Sequence, residues 1–354
     1  MAIISDDNSF KKPEKKNPNI KSEAIEYDKV FENTIRPKDF ENYIGQSELK
    51  ESLKITLEAA KLRNKPLDHM LFYGPPGLGK TTIAGVIAHQ MGVDIKITSA
   101  PALERPRDII GILMSLKGGE ILFIDEIHRL NKVAEEILYP AMEDFTLDMT
   151  TGKSQTAKTL RVPIPKFTLI GATTKAGELS SPLRDRFGMI NRLEFYTTEE
   201  LAQVIKRTAS ILEVKITEKG AKAIAKRSRG TPRIANRLVK RVSDFALVKY
   251  NGEIDEKIAN ESLDLLKIDT FGLDNTDRAL LNLIIDKYDG GPVGVETIAA
   301  ALSEDVRTIE DVCEPYLLQA GFLQRTPRGR KVSPEAYRHL GIKIPSAQTS
   351  LFDI

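Results

Sequence analysis

The sequence predicts a three-part chain: an α/β domain built on a parallel sheet with a phosphate-binding loop, a small all-helical domain, and a C-terminal winged helix. Three observations carry this reading. First, short apolar runs, MLFY at 70–73, ILFI at 121–124 and FTLIGATT at 167–174, are separated by helical stretches, the pattern of a parallel sheet covered by helices. Second, from about Thr197 the strand pattern fades and apolar residues recur at helical spacing in ELAQVIKRTASIL, KGAKAIAKRS, TPRIANRLVKRVSDFALV and DEKIANESLDLL. Third, that pattern breaks at DTFGLDN (269–275), and three further helical stretches lead into FLQRTPRGRKVS, a β-like pair with a basic tip. The expected boundaries are an N-terminal arm at 1–27, the α/β domain at 28–196, the helical domain at 197–268, the winged-helix head at 269–344 and a flexible tail at 345–354.

The bulk properties fit. A chain of 354 residues can bury two or three cores, and 41% hydrophobic with 29% charged residues is the balance of a soluble globular protein. The net charge is only +2, so any contact with nucleic acid has to come from a local basic patch. No apolar run is long enough for a membrane, and the N-terminus lacks a signal core; the expected location is the cytoplasm. A single cysteine, Cys313, excludes an intramolecular disulfide. Its place among Val306, Ile309, Val312 and Leu317 reads as a buried core thiol on a helix. Residues 1–27, with KKPEKK at 11–16, have little to bury and read as a disordered arm, either touching DNA or merely solubilising.

Within the α/β domain, residues 46–62 and TIAGVIAHQMG read as helices, and TLDMTT and TLRVPI as the arms of a hairpin joined by GKSQTAK. GPPGLGKT at 74–81 follows a strand and opens a helix, the context a phosphate-binding loop requires. Glycines such as Gly77 and Gly79 let backbone N–H groups converge on phosphate oxygens, and the helix adds its positive N-terminal end. Lys80 is placed for the β- and γ-phosphates of ATP, Thr81 for Mg²⁺ and Thr82 for a further phosphate contact. In LFIDEIHRL (122–130) an apolar strand delivers two carboxylates at its C-terminal end, where open α/β sheets bind ligands. Asp125 would hold Mg²⁺ and Glu126 would deprotonate the attacking water; an acidic pair in this position could also cap the next helix.

Three further positions are set by the same logic. Thr174, ending the third strand, can probe the γ-phosphate or simply turn the chain. Thr231 and Pro232 begin a helix, which puts Arg233 in a first turn where the helix dipole disfavours it. Such a local conflict suits a ligand-facing residue, with an ordinary surface arginine as the alternative. Arg325, Arg328, Arg330 and Lys331 surround a Pro-Arg-Gly turn, a cluster suited to DNA phosphates and hence to salt-dependent binding without base readout.

Taken together, IRPKDFENYIGQ, GPPGLGKTT, DEIHRL, GATTKAGELSSPLRDRFG, LEFY, GTPRIANRL and GFLQRTPRGR resemble the AAA+ ATPases and, more closely, the RuvB family among them, the bacterial Holliday-junction branch-migration motors. The resemblance runs from about Tyr27 to Ile344. It implies an AAA+ P-loop NTPase domain, an AAA+ lid and a winged-helix head. It also implies ATP and Mg²⁺ as cofactors and a homohexameric helicase acting on four-way junctions in recombination, repair and the SOS response. By the same resemblance Ile35 and Arg36 would line the adenine side, with Tyr196 near the nucleotide. Glu143, Asp144 and Phe145 would approach it from the subunit boundary. Thr174 would be the first sensor, in place of the asparagine most AAA+ proteins have, and Arg233 the second. Arg186 would be an arginine finger inserted into a neighbour's site, with Asp185 holding Arg184 or orienting the loop. Arg325 and Arg330 are selected as DNA contacts. The hairpin near 146–163 would dock RuvA, and RuvC would join in a resolvase complex.

Two other classes share these parts. An AAA+ winged-helix initiator or regulator would use ATP as a switch. A protein-unfolding ring would carry an aromatic-hydrophobic-glycine pore loop, which the sequence does not offer convincingly. Separately, QTSLF at 348–352 resembles the short motif that binds bacterial sliding clamps.

Overall fold

A computed structural model describes residues 32, 34–151 and 158–344. The chain divides into two compact units, Met1–Arg36 and Pro37–Ile354. In the first, Ile35 is buried and an Arg36 guanidinium nitrogen lies 3.9 Å from Glu32. The N-terminal arm, the tip of the hairpin and the clamp-like QTSLF lie outside the described residues.

The second unit opens with α1 (Ser47–Arg63), β1 (Met70–Tyr73), α2 (Lys80–Met91), β2 (Ile95–Ser99), α3 (Pro106–Met114), β3 (Ile121–Asp125) and α4 (Lys132–Glu143). It continues through the hairpin β4 (Thr146–Thr151) and β5 (Lys158–Pro163) to β6 (Thr168–Thr173), the short α5 (Ser181–Arg184) and β7 (Met189–Arg192). Five strands form one parallel sheet in the order β2-β3-β6-β1-β7. The three central strands are those the apolar runs predict. Their residues alternate between two cores, with Phe72, Phe123 and Ile170 on one face and Leu71, Leu122 and Leu169 on the other. The sequence reading misses the edge strands IKITS and MINR. They are half-exposed and mix polar with apolar residues, so they lack the continuous apolar signature of a strand covered on both sides.

A lid follows: α6 (Thr198–Ile211), α7 (Glu218–Lys226), α8 (Pro232–Lys249) and α9 (Glu256–Leu265). Thr197 and Glu200 form a capping box that starts α6. A two-residue parallel pair, β8 (Lys215–Ile216) with β9 (Glu253–Ile254), ties the lid loops together; strands that short leave no periodic signal. The core on one sheet face runs on into the lid through Leu201, Ile205, Ile224 and Leu238.

The head has its own core. It contains α10 (Asn275–Tyr288), α11 (Val295–Leu302), α12 (Val306–Thr308), α13 (Glu314–Gln319), a wing of antiparallel β10 (Leu323–Thr326) and β11 (Gly329–Val332), and α14 (Pro334–Leu340). A π-helical turn, Ile309–Cys313, joins α12 to α13. Its extra residue shifts the helical register, so Val312 is 60% exposed while Ile309 and Cys313 are buried. The sequence reading, which assumes an unbroken helix, places Val312 in the core with them. Burial pushes the Cys313 thiol up to about 12, an inert core sulfur.

Lid and head are joined by a buried arginine. Arg229 Nε donates to Gly272 O at 2.7 Å, and its Nη2 lies 2.8 Å from Asp274 and 2.6 Å from Asp277. Burial drives the Asp277 carboxyl up to about 6 despite the Arg229 charge beside it. Among the described residues no helix is long and apolar enough to cross a membrane.

Candidate nucleotide site and basic wing

Because β6 lies between β1 and β3, the C-terminal ends of three neighbouring strands deliver the phosphate-loop residues, Thr174 and the acidic pair to one place. The loop after β1 has left-handed backbone at Gly77 (φ 82°) and Gly79 (φ 95°), and Gly79 caps α2. The first N–H groups of α2 therefore face the loop without intrahelical partners. Lys80 is 8% exposed and folds back over its own loop, donating to Gly74 O at 2.8 Å and Pro75 O at 3.0 Å. Burial lowers its pKa, against the pull of Glu126 and Asp125. Thr81 and Thr82 follow in the first turn of α2.

Asp125 ends β3, and its Oδ1 accepts the Glu126 N–H at 3.0 Å. Burial raises its pKa, and the neighbouring Glu126 charge adds to this. Glu126 adopts left-handed backbone (φ 47°), and its Oε2 accepts from Thr174 N at 3.3 Å and Thr174 Oγ1 at 3.1 Å. His128 Nδ1 stands 3.3 Å from the same Oε2 and 2.9 Å from Thr173 Oγ1. Burial lowers the His128 pKa, which favours the neutral ring. Neither His128 nor Thr173 is singled out by the sequence reading; the only signal is a histidine two residues after the glutamate. A carboxylate and a threonine hydroxyl are the hard oxygen donors that suit Mg²⁺. Among the described residues no three His, Cys, Asp or Glu gather as a metal cage, so such an ion would complete its shell with phosphate oxygens and water.

The lid closes over the loop. Arg233 N lies 3.4 Å from Gly77 O, and a Cβ on Gly77 would meet the Arg233 Cβ at 3.2 Å. Tyr196 is buried and its hydroxyl donates to Tyr43 at 3.4 Å. Tyr43 lies 3.4 Å from where Gly79 would carry a Cβ, so the Tyr43–Tyr196 pair backs the loop. Burial raises both phenols, Tyr196 to about 12. Tyr43, inside IRPKDFENYIGQ, is a third residue the sequence reading passes over.

Arg186 lies elsewhere. Ser180 caps α5 and donates to the buried Glu135 at 2.6 Å, which anchors the turn. Arg186 then pairs with Glu143 Oε1 at 3.1 Å, donates to Pro182 O at 2.7 Å and covers the Tyr139 ring at 4.4 Å. It turns to Glu143 rather than to the adjacent Asp185. Asp144 lies 3.9 Å from Arg161 of the hairpin, and Phe145 packs edge-on against Phe167 at 6.1 Å. The segment Glu143–Phe145 is thus gathered with Arg186 and the hairpin.

On the wing, Arg325 and Arg330 are directly opposite in the ladder, where like charges repel. Two carboxylates resolve the conflict. Glu310 lies 3.2 Å from Arg325 and 3.0 Å from Arg330, and Glu314, 2% exposed, pairs with both. Burial works against the Arg330 charge, but its bonds to Glu314 and Glu310 raise its pKa. Arg330 is accordingly buried, whereas Arg325 and Arg328 face solvent.

Models of one family match all three parts: the Holliday junction DNA helicase RuvB P-loop domain at 35–193, the RuvB AAA lid domain at 196–269 and the RuvB C-terminal winged helix domain at 270–341. A Crocosphaera subtropica protein named Holliday junction branch migration complex subunit RuvB is 59% identical over 352 residues, covering 99% of each chain. One of the same name from Rippkaea orientalis is 60% identical over 91% of this chain and 89% of its own. Among solved structures, the Thermotoga maritima RuvB Holliday junction branch migration motor is 51% identical with a TM-score of 0.80, over 88% of this chain and all of that one.

Proposed function

Since the chain belongs to the RuvB family of Holliday junction DNA helicases, we propose that it hydrolyses ATP to drive branch migration of four-way DNA junctions in recombination and repair. The observation that carries this reading is the packing of Arg233, at the start of a lid helix, directly on the phosphate loop at Gly77. A nucleotide bound there touches large domain and lid at once, so its γ-phosphate can set the angle between them. The working units are the α/β domain 28–196, the lid 197–268 and the head 269–344.

In this reading Lys80 leaves the carbonyls of Gly74 and Pro75 for the β- and γ-phosphates, while Gly77, Gly79 and Thr82 contribute to the phosphate cradle. Mg²⁺, held by Thr81 and Asp125, would neutralise charge developing on the phosphates. Thr174 and His128 hold the Glu126 carboxylate in reserve. Arrival of the γ-phosphate at Thr174 and Arg233 frees Glu126 to take a proton from the attacking water. Tyr196 lies on the adenine side.

Arg186 belongs to a neighbour's site. It lies three residues before β7, whose Met189 is level with Met70 at the start of β1, whereas the phosphate loop follows the other end of that strand. Four residues of strand separate them by about 13 Å, which supports the family-implied reading of Arg186 as a finger for another subunit, presented together with Glu143, Asp144 and Phe145. That supports a homohexameric ring in which hydrolysis depends on assembly. Arg325 and Arg330 contact DNA phosphates, the hairpin β4–β5 docks RuvA, RuvC joins the assembly, and the complex works in the cytoplasm. The test is ATP-dependent conversion of synthetic four-way junctions, with and without the junction-binding partner. Steady hydrolysis without strand movement counts against a motor and favours an ATP-switched regulator.

A further inference from the structure

The π turn Ile309–Cys313 faces two sites at once. On one side Glu310 and, just beyond the turn, Glu314 hold the wing arginines Arg325 and Arg330. On the other, Asp311 Oδ1 lies 3.8 Å from Lys175 Nζ. Lys175 follows Thr174, whose hydroxyl and N–H both hold Glu126, and the Lys175 N–H is itself tied to Thr173 Oγ1 at 3.0 Å. Three contacts, Glu126–Thr174, Lys175–Asp311 and Glu310 with the arginines, joined through two pairs of adjacent residues, therefore link the candidate catalytic base to the guanidinium groups of the wing. π turns interrupt helices at a cost and concentrate at functional positions; this one puts adjacent carboxylates, Glu310 and Asp311, on different partners.

We propose that this turn is an acidic brake on the grip of the wing: Glu310 competes with DNA phosphate for Arg325 and Arg330, and the Lys175–Asp311 pair lets the nucleotide site set how strongly it competes. The proposal rests on the reading of those arginines as phosphate contacts. A guanidinium shared with a carboxylate neutralises less of a phosphate, and a fixed carboxylate repels the backbone. The Lys175–Asp311 and Glu310–arginine contacts are made together in this structure, which is the braked state; grip strengthens when a further shift of Lys175 draws Glu310 off the arginines. A motor needs such alternation, because a head that binds DNA equally tightly in every state cannot advance. Glu310 is only partly buried, so its replacement by the isosteric amide removes charge without opening a cavity. Glu314, fully buried against Arg330, is the structural partner and is left intact.

The experiment measures binding of the full chain to duplex DNA across a salt series, with a non-hydrolysable ATP analogue and with ADP. Glu310→Gln should tighten binding and steepen the log–log salt slope by about 0.9, one more counterion released. Asp311→Asn should leave that slope unchanged but bring the ratio of the two nucleotide-state affinities toward one. The exchange Lys175→Asp with Asp311→Lys should restore the ratio. If Arg325→Ala weakens binding while Glu310→Gln changes neither affinity nor slope, the brake is wrong although the phosphate reading stands. If Arg325→Ala has no effect, the phosphate reading itself fails and the brake with it. A ratio that survives Asp311→Asn overturns the link to the nucleotide site.

Discussion

Arg233 and Gly77 touch across the boundary between lid and large domain: a Cβ on Gly77 would lie 3.2 Å from the Cβ of Arg233, in a backbone conformation with φ at 82°. A side chain there faces both penalties. Gly77→Ala is expected to cost about 1–2 kcal/mol in backbone strain and to push the lid off the loop. Nucleotide affinity measured by calorimetry should fall more than melting temperature does; a variant that binds ATP normally would remove the lid contact from the account.

Loss of the base and loss of the lysine should separate. Glu126→Gln should bind ATP and stall, because only the proton acceptor is gone. Lys80→Ala should lose binding or hydrolysis through the phosphates. Comparing filter-bound nucleotide with phosphate release checks this, and Glu126→Gln with near-normal turnover refutes the assignment.

The proposed finger has a sharper signature. Arg186→Ala should retain nucleotide and lose about 10³-fold or more in hydrolysis rate. Mixing it with Lys80→Ala should restore part of the activity, since some interfaces would then pair an intact loop with an intact finger. No recovery in rings shown to be mixed sinks the assignment in trans.

Asp277 predicts a pH dependence. Its folded pKa, about 6, lies above the ordinary 3.8 because the buried site disfavours the charged form. Its contribution to stability is therefore complete below about pH 4 and is lost as pH rises through about 6. Asp277→Asn removes that titration. The melting temperature of the natural protein minus that of the variant should shrink from pH 4 to pH 7, by the equivalent of at most about 3 kcal/mol. A constant difference is the contrary result.

Much of this is legible in the chain because phosphate chemistry constrains local sequence. Gly77, Gly79 and Lys80 must be neighbours, and Asp125 and Glu126 must follow a buried strand, so short motifs reveal them. The three central strands show for the same reason that they are buried: nothing polar interrupts them. What escaped depends on long-range partners. His128 matters through Thr173, 45 residues away, and Tyr43 through Tyr196, 153 residues away; no local pattern announces either. The buried state of Arg330 follows from Glu314 across the π turn, and a turn that breaks helical register is invisible to a search for that register.

Arg229 and Arg233 stand four residues apart, one locked to the head through Asp274 and Asp277, the other resting on the phosphate loop. A short turn that is fastened at both ends can carry force in either direction. Tension in the DNA would reach the nucleotide as surely as hydrolysis reaches the DNA. In the proposed ring, subunits under different strain would then fire at different moments.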